Sequence, residues 1–347
     1  MTLLIRKSWI VFVYAVTISL ESIIIEYLTT SFVHFSSIML SATSITFAGI
    51  LLLIVMVCGL KRAKKILVLF STSWKNVILA SLSLSFGIFT WYDSINKIGA
   101  SKEVLIAGPL EIVIIVILAR VFLREKLTRF HFIGIGLALV GFFMAVTSDI
   151  PLTVPDNTET TITLASVTKS SSLSAIVIGF GDVEAIFSAF GFAGGVIFLT
   201  KLAIKYSSIE VAGASMFTSG LILVGFMVVG LMSYGTSHVV FPSKEISFLR
   251  QPLIYSIAVL LLFSLLPFIG SLSYSTGLSR IGASLTATLG SSSILMTIVL
   301  QIILKEFGIN SHLPENIFLA ILGGVTGFLG IYVIHIPSHS MSITKKE

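Results

Sequence analysis

Charge is scarce in this chain: only 11% of its 347 residues are Asp, Glu, Lys or Arg, whereas a soluble domain carries roughly a quarter. Water is therefore excluded as the main solvent, in keeping with a 55% apolar composition and a mean hydropathy of +1.05. Cysteine is almost missing as well. Cys58 alone cannot close an intrachain disulfide, and its place after an apolar run reads as that of a small packing residue. No Gly-Lys-Ser/Thr stands behind any of the glycine clusters, so they resemble no phosphate loop. His335 and His339 are four apart, but Pro337 lies between them and no acid or cysteine completes a set, so neither a metal nor a cofactor is expected.

What the chain has in quantity is long apolar runs. About 20 residues of helix cross the roughly 30 Å of bilayer hydrocarbon, and these runs are too many and too long to share one aqueous core. Each unpaired backbone group in lipid costs several kcal/mol, and the runs lack the two-residue alternation of barrel strands, so they must be helices. Ten spans are expected: Trp9 to Leu28, Phe35 to Leu60, Val77 to Ile98, Ser101 to Leu123 and Phe130 to Thr147, then Ile178 to Ala203, Ile209 to Tyr234, Pro252 to Gly277, Ala283 to Leu304 and Glu315 to Ile336. The first run outlasts a signal-peptide core and carries two glutamates, so it reads as a span. Residues 151–177, rich in Ser and Thr, form a linker between halves 1–150 and 178–347.

Basic residues set the orientation, because Lys and Arg are retained on the cytoplasmic side. With the N-terminus inside, only Lys97, Lys102, Lys169, Lys244, Arg250 and Lys305 fall outside, and the other sixteen of the 22 basic residues fall inside. Both termini are thus expected in the cytoplasm of a multi-pass plasma-membrane protein. The net charge of +6 follows from that asymmetry and from attraction to anionic lipid heads, so nucleic acid is not an expected partner.

Two copies of one pattern are visible. W-Y-D-S-I-N-K-I-G-A-S from Trp91 and Y-S-T-G-L-S-R-I-G-A-S from Tyr274 share I-G-A-S, and the following spans end in L-R-E-K-L at Leu123 to Leu127 and L-K-E-F at Leu304 to Phe307. Five spans separate the copies, an odd number, so the halves lie in opposite orientations. Inverted repeats are built into many secondary transporters, with the substrate near the midplane. With A-R-V-F-L-R-E-K-L at Ala119 to Leu127, the glycine-rich span Ile133 to Val146 and G-D-V-E-A-I-F-S-A-F-G-F-A-G-G from Gly181 to Gly195, the chain resembles the EamA-type drug/metabolite transporters. The resemblance implies an all-α membrane fold of about ten helices as two inverted five-helix repeats, and export or exchange of small metabolites without ATP. It departs from the family at Ser44, where an arginine often stands, and at Ile112, where Glu-Pro is often found.

Charges inside spans are expensive and therefore functional candidates. Glu21 lies twelve residues into the first span, roughly 18 Å along the helix, and shares a face with Tyr14 and Thr17. Glu26 is turned about 140° from it, toward the side of Ser19 and Ser22. Glu111 lies halfway along the fourth span, near the depth of Glu21. Such a carboxyl stays protonated or paired until a cation arrives; it serves either a cationic or proton-coupled substrate or a bond to a neighbouring helix. Pro109 and Pro267 are candidate kinks that would free a carbonyl. Trp91 and Tyr92 form either an interfacial belt, with Lys97 and Lys102 neutralising Asp93 and Glu103, or a substrate vestibule shared with Tyr274. Ser284, Thr288 and Ser291 fall on one face, which either lines the cavity or glues helices. Gly134, Gly136, Gly141, Gly323, Gly324, Gly327 and Gly330 should permit close helix contact, and the Arg124, Glu125, Lys126 group is either a solvated helix end or an inner gate. The expected partners are the lipid bilayer, a small-molecule substrate and a coupling proton or cation, with the chain a monomer or homodimer. A competing reading as an intramembrane aspartyl protease rests on Tyr92-Asp93 and Gly179-Phe180-Gly181-Asp182; a channel or membrane scaffold is the other alternative.

Overall fold

The computed structural model describes residues 2–32, 35–59, 63–122, 129–148, 179–234, 253–307 and 312–335. The expected linker, the Arg124–Lys126 group and His339 lie outside the described residues, and the side chain of His335 does too. The helices are α1 (Thr2–Tyr27), α2 (Ser37–Ile54), α3 (Ala63–Ile98), α4 (Ala100–Phe122), α5 (Arg129–Thr147), α6 (Phe180–Ala203), α7 (Ser208–Tyr234), α8 (Leu253–Ile281), α9 (Ala283–Gly290), α10 (Ser292–Glu306) and α11 (Ile317–His335). Among the described residues, eight stretches are long and apolar enough to cross a membrane, and two shorter apolar helices, Phe132–Thr147 and Ile317–Val333, accompany them. Large side chains such as Phe12, Phe143, Phe190, Val229 and Leu262 are exposed on the outside, as a lipid-coated bundle requires. The chain is an all-helical, multi-pass membrane protein.

Three details differ from the sequence reading. The third helix starts at Ala63 rather than Val77, with a non-helical Ser73 (φ −127°, ψ 22°) marking a kink. Lys64, Lys65 and Lys75 depress hydropathy without opposing helix, since Lys is a good helix former. The ninth span is interrupted at Ser291, which separates α9 from α10, whereas α4 runs on through Pro109 and α8 through Pro267. Cys58 is exposed in a π-helical turn, Val55–Gly59, rather than packed.

The helices hold together through small residues and hydroxyls, because apolar burial supplies no net attraction between helices already in lipid. A Cβ on Gly191 would lie 2.4 Å from the Gly87 Cα, which brings α3 and α6 backbone to backbone. Gly141 faces Gly323 and Gly327, and Gly330 faces Gly134 and Ala138, closing α5 on α11; Gly136 has no neighbour within 4 Å, so it does not share that role. Between α3 and α7, Ser85 donates to the Ser219 carbonyl (3.0 Å) and Ser219 to the Ser81 carbonyl (3.1 Å).

The packing has a regular exchange in it, with α9 and α10 taken together as one span. α3 packs on α6 as α8 does on α1, α4 on α6 as the ninth span does on α1, and α3 on α7 as α8 does on α2. The α2–α7 and α5–α11 pairs are their own counterparts. Among the described residues only Gly99 and Gly282 have positive φ, +81° and +84°. They are the glycines of the two I-G-A-S turns, where a left-handed turn demands the residue without a Cβ.

Candidate functional site

A cavity opens between the helices, lined from the first half by Tyr14, Ile18, Glu21, Leu84, Trp91 and Glu111, among others. The second half adds Phe192, Met216, Tyr274 and the hydroxyls of Ser215, Ser271 and Ser275. A second, smaller space is bounded by Gly108, Gly290, Ser291 and Ser293. Tyr14, Glu111 and Tyr274 border both. The waist where the chambers share a wall therefore holds one carboxyl and two phenols, the phenol rings standing 4.7 Å apart at 48°.

Each helix delivers its residue for a local reason. α1 carries Tyr14, Ile18 and Glu21 at spacings of four and three, one stripe of the helix. α4 starts at the Gly99 turn, which sets Glu111 eleven residues on, roughly 16 Å along the axis. The Glu21 carboxylate accepts a hydrogen bond from the Tyr92 hydroxyl at 2.8 Å, and Tyr92 lies 3.2 Å from the Ser44 hydroxyl. Ser44, at the position where a family arginine often stands, thus ends a chain of hydroxyls leading to Glu21.

Of the residues singled out in sequence, Tyr14, Glu21, Trp91, Glu111, Tyr274 and Ser291 come together around the two chambers. Thr17 does not line them; its hydroxyl donates to the carbonyls of Val13 and Tyr14 in its own helix. Tyr92 stands behind Glu21 rather than on the cavity. Trp91 and Tyr92 are 5% and 0% exposed, which overturns the interfacial-belt alternative: rings so buried touch no lipid headgroup. The side chains of Thr288 and Ser284 lie outside the described ones. Sequence reasoning missed Phe192, Met216, Ser271 and Ser275, whose apolar or small surroundings give no local signal.

The end of the bundle at Gly99 is tied shut. Glu26 accepts hydrogen bonds from the Ala100 N–H (2.9 Å), the His312 N–H (2.5 Å) and the Gln301 amide, while Gln301 in turn accepts from Ser101. Beside it Lys97 pairs with Asp93 (2.7 Å) and Glu184 (2.6 Å), and Lys102 with Asp182 (2.9 Å). Asp182 also accepts from the Gly179 N–H at the start of α6. The two aspartates of the protease alternative are therefore each held by a lysine. At the opposite end Ser73 lies 3.0 Å from the Tyr206 hydroxyl and Ser208 3.0 Å from Ser279, and the Lys201 ammonium stands 5.6 Å from the centre of the Phe122 ring.

Residues 7–147 are similar to the EamA-like transporter family. No curated protein matches the chain. A solved structure titled only "Crystal structure of protein" is similar to the whole chain, with a TM-score of 0.59 and 14% identity, covering 94% of this chain and 96% of that one. At that identity the likeness speaks for the fold alone. The Glu21, Trp91 and Glu111 walls of the cavity lie within the EamA-like segment, and the hydroxyl wall lies beyond it.

Proposed function

We propose that this protein is a secondary transporter that exports or exchanges a small cationic or zwitterionic metabolite by alternating access, coupled to protons. The observation that carries the reading is the pair Glu21 and Glu111 on one cavity at mid-helix depth, where an ionisable group costs at least about 2.5 kcal/mol and persists for a reason. Two further features support it. The I-G-A-S turns share their left-handed glycine, and the helix packing survives exchange of the two halves, as an inverted repeat with a central site would require. In this reading both termini face the cytoplasm of the plasma membrane, the Gly99 end faces outward, and the protein works as a monomer or homodimer.

The test is uptake into proteoliposomes under an imposed proton gradient. Wild-type protein should accumulate its solute several-fold, and Glu21→Gln should still exchange solute across the membrane without accumulating it. Unchanged accumulation in the mutant would sink the coupling role of Glu21.

A further inference from the structure

Every carboxyl buried among the described helices has a partner. Glu21 has Tyr92, Glu26 has Ala100, Gln301 and His312, and Glu103 has Ser188 at 3.1 Å. Asp182 has Lys102, Glu184 has Lys97, and Glu210 accepts from the Ser207 N–H at 3.0 Å. Among the described residues Glu111 takes part in no hydrogen bond or ion pair. Beside it the buried hydroxyl of Tyr274 also lacks a partner. A buried hydroxyl is rarely left unmatched in a folded protein, and here it borders the same two chambers as the half-buried, unpaired carboxyl of Glu111.

The chambers differ in character. The larger is walled mainly by Ile18, Ile45, Leu84, Ile88 and Phe192, the smaller by glycine and serine around the helix break at Gly290–Ser291. An apolar wall retains a ring or chain by desolvating it. A carboxyl flanked by phenols retains a cation, through charge and through the aromatic faces. We infer that the substrate is an amphipathic amine, its apolar body of about one ring in the larger chamber and its N–H-bearing ammonium at the waist on Glu111. This rests on the transporter reading and divides the work of the two acids: Glu111 recognises the ammonium, while Glu21, already engaged by Tyr92, handles the coupling proton. Anions meet two carboxyls in this cavity, and a neutral solute would leave Glu111 unmatched.

The probe is 2-phenylethylamine, compared with 2-phenylethanol (same body, neutral), phenylacetate (same body, anionic) and ethylamine (same head, no body). Binding is read calorimetrically on purified full-length protein at neutral pH. The amine should bind at least tenfold tighter than any of the three controls. Glu111→Gln should weaken it at least tenfold, and Glu21→Gln by less than threefold. Tyr274→Phe, which removes only a hydroxyl, should weaken it about threefold and serves if Glu111→Gln does not fold. Equal binding of the alcohol or the anion, no binding of the amine, or unweakened binding in both Glu111→Gln and Tyr274→Phe overturns the assignment. Counterflow in proteoliposomes separates this from the broader reading. Exchange of phenylacetate or phenylethanol without the amine sinks only the substrate class, whereas tight amine binding with no exchange of any probe sinks the transporter.

Discussion

At the scale of single residues, the cavity distinguishes acids that are held from one that is free. Tyr92 holds Glu21 from behind at 2.8 Å and is itself wholly buried, so Tyr92→Phe should leave the cavity wall intact while loosening the carboxyl. The loss of one hydrogen bond is worth about 1 kcal/mol of stability. The expected outcome is a small drop in thermal stability with a roughly tenfold fall in proton-driven accumulation, and counterflow retained, measured side by side in proteoliposomes. That Tyr14 and Glu21 share one stripe of α1 was legible because helical spacing is arithmetic on the sequence. Thr17 was misread for a simple reason: a hydroxyl in lipid has its own helix carbonyls within reach, and periodicity cannot tell a lining threonine from one satisfied locally. Gln301 and His312 gave no signal as partners of Glu26, since 275 and 286 residues of chain separate them.

At the scale of elements, small residues decide which helices touch. Gly191→Val would drive a side chain into the Gly87 backbone, where even a Cβ comes within 2.4 Å, so it should destabilise the protein by about 1–3 kcal/mol or more. Gly136→Ala is the control, having no neighbour within 4 Å; it should leave stability unchanged or raise it by up to about 1 kcal/mol through helix propensity. Thermal unfolding in detergent, followed by intrinsic fluorescence, compares the two. The sequence marked the I-G-A-S turns and the ends of most helices, because loss of hydropathy and glycine punctuation act locally. Its candidate kinks, Pro109 and Pro267, lie inside helices that run on. Proline lacks one donor but fits a helix whose neighbours supply room, as Gly327 does for Pro109, whereas the pause at Gly290–Ser291 has only small residues to announce it.

At the scale of the whole molecule, the Gly99 end of the bundle is fastened by charged groups. Lys97 meets Glu184 and Lys102 meets Asp182 there, beside the carboxylate of Glu26. Glu26→Ala removes the acceptor shared by α1, α4, α10 and the residue His312. It should shift the resting population toward opening at that end, seen as at least fivefold faster reaction of a cysteine placed at Ser101 with an impermeant maleimide added from outside; an unchanged rate would show the tie to be idle. At Gly99 a Cβ would lie 2.6 Å from His312. Any side chain there would meet both the strain of a left-handed turn and the His312 side chain, so the glycine that shapes this turn is also what lets the segment before α11 lie against it.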